Sequence, residues 1–171
     1  MFRVKVIPFL CGVVLSIAPL CAQSAGGHDA EFLKMAAEAD MTTAHLGQMA
    51  ADRAADDKVK NLGKTLVQDE TSDYEHLTQL ASKTGQTIPK AIGHQDNRQI
   101  AQLDHYKGKI FDHEFLNQET VEHRKLMKAF EAEATHGQNP DIKAYANKAL
   151  PLIQSHLHDT ENLMKPALHK G

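Results

Sequence analysis

One stretch constrains this chain more than any other. Val59, Leu62, Leu66, Asp69, Asp73, Leu77 and Leu80 recur at steps of three and four, the period of one α-helix face turned toward a core. Two of the seven are aspartates, and Glu70 stands on the shoulder of the same stripe. A charge on a buried helix face is costly unless something pairs with it. A fold that uses this helix must therefore supply partners for Asp69, Glu70 and Asp73.

The rest of the mature chain reads as further helices. Asp29 is placed to cap a first helix over residues 30–54, with Phe32, Ala36, Ala39, Thr43, Leu46 and Ala50 on its inner face. That stripe is small-residued, so a neighbour can approach closely. A turn at residues 54–57 leads into the second helix, which Gly85 and Pro89 end near Lys83. Residues 84–111 form a long connection with a short helix expected over 96–106, which Gly108 interrupts. Asp112 is placed to cap a third long helix to about Thr135. Asn139-Pro140 opens a fourth, running to about Lys165 with Pro151 inside it. No stretch reads as a strand. The fold class is all-α: a four-helix bundle of two helical hairpins joined by a long connection with a short extra helix.

An internal repeat supports the two hairpins. Asp29-x-Glu31-Phe32-Leu33 recurs 83 residues later as Asp112-x-Glu114-Phe115-Leu116. At the same offset Val59-Lys60 becomes Ile142-Lys143, and Leu80 becomes Leu163. Asp73 then corresponds to His156, and His76 to Asp159.

Residues 1–25 stand apart. Arg3 and Lys5 precede an apolar run from Ile7 to Leu20 and small residues at Ala22, Ser24 and Ala25, the layout of a secretory signal peptide. Residues 26–171 are then the exported domain, placed in the periplasm with no stable membrane insertion after cleavage; an uncleaved N-terminal anchor is the alternative. Both cysteines, Cys11 and Cys21, fall in the leader, so the mature chain has no disulfide and no thiolate ligand. Removing Arg3 and Lys5 takes the formal charge from −3 to −5. No basic patch with interleaved aromatics is present, which argues against nucleic acid as a partner. A nucleophile–base pair and a Gly-rich phosphate loop are also missing from the sequence.

The candidate site lies on the core faces at mid-height. Glu119 and Glu122 fall on the third helix's stripe with His123 at its edge, and His156 falls on the fourth helix's stripe. Asp73, Glu119, Glu122 and His156 are the first-choice metal ligands; Asp69, Glu70, His123 and Asp159 are outer or alternative ones. Carboxylate-bridged di-metal sites use carboxylates and Glu-x-x-His motifs on facing helices, and oxygen and imidazole donors suit Fe, Mn, Zn or Cu. The pattern here is partial: the third helix has Glu119-x-x-x-His123, and the first shows Ala36, Ala39 and Thr43 inward. A metal-free polar network of the same residues is the alternative.

The residues Leu46-Gly47-x-x-Ala50, Val59-Lys60-x-Leu62, Val67-x-Asp69, Phe111-Asp112-x-x-Phe115-Leu116, His123 and Leu150-Pro151-x-Ile153-x-x-His156-Leu157 resemble the exported proteins grouped as domain-of-unknown-function 4142. The resemblance covers residues 29–163 and implies a ferritin-like four-helix bundle, exported, with no established activity. Members often carry Glu where Thr43 stands and His where Glu70 stands, so a site formed with Asp69, His123 and His156 is altered in this chain.

Three functions follow as expectations. The first is a stress- or envelope-related protein, monomeric or dimeric, that holds a transition metal at the mid-bundle cluster. The second is a di-metal oxidoreductase built on the same cluster. The third is a protein-interaction module that uses the 84–111 connection, since loops of that length are usually functional.

Overall fold

The structure is a computed structural model that describes residues 25–165. It is all-α, with no strand among the described residues. Five helices follow in order: α1 (Ala25–Arg53), α2 (Asp57–Thr84), α3 (His94–Asp104), α4 (Gly108–His136) and α5 (Pro140–Met164). The expected leader lies outside the described residues. Among those residues no helix is long and apolar enough to cross a membrane.

Local chemistry accounts for several helix ends. Asp56 caps α2 by accepting from the Lys58 backbone N–H, and Gly85 ends it in the left-handed region at φ 69°. Asn139 caps α5 by accepting from the N–H groups of Asp141 and Ile142, with Pro140 at the first helical position. Gly108, expected to interrupt the connection, instead opens α4 at φ 59°. The short helix α3 begins two residues earlier than the sequence predicts. Arg53 holds its C-terminal end: the guanidinium donates to the Asp104 carboxylate at 2.5 Å and to the carbonyls of Asp104 and Tyr106 at 3.0 and 2.9 Å. It also lies over the Phe111 ring, 4.6 Å from the centroid.

Asp29 and Asp112 do not cap their own helices. Each lies inside its helix, which starts four residues before it. The Asp112 carboxylate accepts from Ala55 and Asp56 N–H, both at 2.8 Å, across the α1–α2 turn. The Asp29 carboxylate accepts from Gln138 and Asn139 N–H at 3.0 and 2.8 Å, across the α4–α5 turn. Donors and acceptors in the two clasps are related by the same 83-residue offset as the sequence repeat. Each hairpin thus ties down the turn of the other, where unpaired N–H groups would otherwise remain.

The helices pack as two hairpins, α1 on α2 and α4 on α5, with α1 also against α4 and α2 against α5. The α1–α2 contact is close because Gly47 faces Gly63. A Cβ at Gly63 would come within 2.5 Å of the Gly47 carbonyl oxygen and 2.7 Å of the Ala51 nitrogen. Two apolar clusters fill the interior. One holds Phe32, Leu33, Ala36, Leu77, Phe130, Ile142 and Ile153; the other holds Leu46, Leu62, Leu66, Leu103, Phe111 and Phe115. On every long helix the two clusters are separated by buried polar residues: Asp40 and Thr43 on α1, Glu70 on α2, Glu119, Thr120 and His123 on α4, and His156 on α5.

Because the Gly63 contact is with backbone atoms that have no rotamer to give, Gly63→Ala should destabilise the fold by about 1–3 kcal/mol. Urea unfolding followed by circular dichroism would measure this. Stability equal to wild type would show that α1 and α2 do not approach so closely.

Candidate metal centre at mid-height

The polar layer is organised around two imidazoles from the second hairpin. His123 on α4 is 0% exposed. Its Nδ1 lies 2.9 Å from the Glu119 carbonyl oxygen one turn earlier, an arrangement that places the proton on Nδ1 and leaves Nε2 bare. Nε2 has no hydrogen-bond partner. Burial, then the neighbouring His156, pushes the His123 pKa down to about 4 despite the carbonyl's opposing pull. At neutral pH it is a neutral imidazole with a free lone pair, the form that binds metal.

His156 on α5 is held differently. Its Nε2 lies 3.0 Å from the Asp69 Oδ2 atom on α2, so Asp69 accepts the proton there. Its Nδ1 is 3.2 Å from Glu70 Oε1 but is not aligned for a hydrogen bond and has no other partner. Carboxylate, imidazole, then a bare nitrogen is the sequence of groups that orients metal-ligating histidines. Burial favours neutral His156, but the Glu70 and Asp69 carboxylates outweigh it and its pKa is raised.

Glu70, His123 and His156 each offer a ligand atom, and these atoms all lie within 4.8 Å of one another. Two atoms bound at about 2.0–2.2 Å to one ion lie about 3.0–3.5 Å apart. The 3.2 Å between Glu70 and His156 is therefore the edge of such a coordination sphere as well as a near-miss hydrogen bond. Two more carboxylates flank the group. Both Glu119 oxygens are buried without a partner, as is Asp40 Oδ2 on α1. The Glu119 pKa is raised well above the ordinary range by burial and by the charges of Glu70 and Glu122. Asp40 is raised by burial and by Glu70 and Asp73. For Glu70, burial outweighs His156 and the pKa is raised as well.

The eight residues singled out in the sequence sort as follows. Glu70, His123 and His156 converge, with Asp69 behind His156 and Glu119 beside His123, where Oε2 lies 3.5 Å from Nδ1. Asp73 is half-buried and accepts from the Tyr145 hydroxyl at 2.7 Å. Glu122 pairs with Lys125 at 2.7 Å, and Asp159 is exposed. The residue not anticipated is Asp40, which lies beside the inner stripe assigned to α1. The 83-residue repeat carries its signal, because Asp40 stands at that offset from His123.

Two openings flank the layer. A cavity of about 240 Å³ between α1, α3 and α4 is lined by Ala39, Thr43, Leu46, Asp96, Glu119 and Glu122, among others. On the α2–α5 side a groove of about 220 Å³ is lined by Asp69, Asp73, His76 and Tyr145. The first reaches the layer at Glu119, the second at Asp69.

The raised groups set a pH dependence. Asp40, Glu70, Glu119 and His156 all bind a proton more tightly folded than unfolded. Their contribution is complete below the unfolded values, about 4 for the carboxylates and 6.5 for histidine, and is lost as pH rises through the raised values. His123 acts oppositely, but only between pH 6.5 and about 4. Metal-free protein should therefore lose thermal stability as pH rises above about 6.5, and a bound divalent ion should abolish that loss. Melting curves in chelator across this range test it; a flat or rising profile contradicts the charge layer.

No curated protein and no solved structure matches the chain. A family model described as "Domain of unknown function (DUF4142)" matches residues 17–163, a span that holds every residue of the polar layer, and the chain belongs to that family.

Proposed function

We propose that this is an exported protein with a ferritin-like bundle of its four long helices, and that it holds a transition metal at mid-height through Glu70, His123 and His156. The observation that carries the reading is the pair of imidazoles. Each has one nitrogen fixed by an oxygen acceptor and the other buried without a hydrogen-bond partner, an arrangement that costs stability unless a ligand fills it. Two imidazoles and a carboxylate suit Fe, Zn, Mn or Cu without thiolate. Glu119 and Asp40 are within the same polar layer and would complete the sphere or receive a second ion. The donor set supports a metal-holding role in the envelope ahead of a di-metal oxidoreductase, since the convergent group is one cluster of three. Export rests on the leader pattern of residues 1–25, which divides the chain into a removed leader and a 26–171 domain.

Elemental analysis of untagged protein purified from the periplasm without chelator tests the reading. One equivalent of Fe, Mn, Zn or Cu is expected at this cluster. It should be lost in Glu70→Gln, His123→Ala and His156→Ala. Two equivalents lost together would convert the reading to a di-metal centre. Metal content unaffected by all three variants, or no uptake on titration, would leave the layer a polar network. The intact mass of the purified chain reports whether the leader is removed.

A further inference from the structure

A second group of ligand-type side chains lies at the α4–α5 turn. Glu133 sits ten residues beyond His123 on α4, about 15 Å along the helix. Its side chain is 0% exposed, and neither carboxylate oxygen has a hydrogen-bond partner. His28 Nδ1 lies 3.0 Å from Glu133 Oε2, yet the two are not aligned as donor and acceptor. That separation is the edge of a coordination sphere with bonds of about 2.1 Å. Asp29 supplies the third group, with a ligand atom within 4.8 Å of the other two. Its oxygens already accept from Gln138 and Asn139, which fixes the carboxylate and leaves each oxygen a further lone pair.

The turn is also shaped for the Glu133 carboxylate. A Cβ on Gly137 would collide with Glu133 Oε1, so the absence of a side chain at 137 makes the space the carboxylate occupies. Gly137 has φ −53°, which any residue adopts, so close approach and not a left-handed backbone is what favours glycine there: a Cβ would also lie 2.7 Å from the Glu133 carbonyl oxygen.

The opposite end of the molecule supplies an internal control. It has the same clasp, with Asp112 holding the α1–α2 turn. The positions 83 residues from His28 and Glu133 are Phe111 and Ala50, and Gly137 is matched by Ala54. The clasp therefore forms with an apolar pair beneath it. His28, Glu133 and Gly137 are additions at one end that the clasp does not require.

We propose that His28, Asp29 and Glu133 form a second metal site, for a divalent ion of the zinc class, at the α4–α5 turn. His28 is 55% exposed at its side chain, which gives the ion a route from solvent. One imidazole and two carboxylates match the donors of tetrahedral zinc, with a position left for water. Without the ion, burial and the Asp29 charge raise the Glu133 pKa, and a divalent ion would offset both.

The test is calorimetric titration of Zn²⁺ into chelator-stripped protein carrying no histidine tag, done in parallel on the His123→Ala/His156→Ala variant, which removes the mid-height cluster. The double variant should retain one equivalent. That equivalent should be lost, or weakened at least about tenfold, by Glu133→Gln, His28→Ala and Gly137→Ala, each checked for folding by circular dichroism. Gly137→Ala leaves every donor in place but crowds both the Glu133 carboxylate and the Glu133 carbonyl oxygen, so Glu133→Gln and His28→Ala, which change only the donors, separate a built site from surface binding. Zinc stoichiometry and affinity unchanged by Glu133→Gln and His28→Ala would overturn the proposal. No zinc binding by the double variant would do the same. Because both mid-height imidazoles are absent from that variant, and Glu133→Gln and His28→Ala are read within it, its result stands whatever the fate of the first site.

Discussion

The interior at mid-height holds more acid than base, and the rest of the structure is arranged around that imbalance. Asp40, Glu70 and Glu119 are buried, with Asp69 and Asp73 at the margin, and the basic groups set against them are His156 and the neutral His123. None of the groups that shift these five titrating residues from their ordinary values is a lysine or an arginine. Carboxylates in that position either hold protons or surround a cation. A divalent ion would supply the missing charge and use the bare nitrogens of both histidines, which explains why the same residues look strained as a network and suited as a ligand set.

Rigidity for such a layer comes from above and below. Two apolar clusters close on it from either end. Gly47 and Gly63 bring α1 against α2 at backbone distance, and the paired clasps of Asp29 and Asp112 lock each hairpin's turn to the other hairpin. Side chains held on helices that cannot slide keep their relative positions, which a small metal site needs. The openings lined by Glu119 and Asp69 approach the layer from opposite sides, while Glu70, His123 and His156 themselves stay buried between them.

The repeat explains both the symmetry and its breaks. Asp29 and Asp112 perform the same task in the two halves, whereas Asp40 and Asp73 are answered by His123 and His156. The first half contributes only carboxylates to the layer, and the second contributes both imidazoles together with Glu119, so a repeated scaffold yields a mixed donor set. The ends differ similarly: Phe111 and Ala50 complete an apolar end, and His28 and Glu133 a polar one. Family membership by itself attaches no activity to these differences.

The sequence by itself determined what depends on neighbours along the chain. The α2 stripe with Asp69, Glu70 and Asp73, the αL stop at Gly85, the Asn139-Pro140 start and the 83-residue repeat were all legible, because helical period and capping are local. His156 was legible as a polar residue on an apolar face. Tertiary structure decided which polar residues meet. Glu70 and His123, on stripe edges, converge at the centre, while Glu122, on a stripe, turns to Lys125. A helix packed against two neighbours buries more than one narrow stripe, which is why Asp40 on α1 lies inside and was not anticipated. Asp29 and Asp112 resemble local helix caps in sequence, yet they bind turns about 110 and 57 residues away. No local rule contains such a pairing, since it arises only when two hairpins dock.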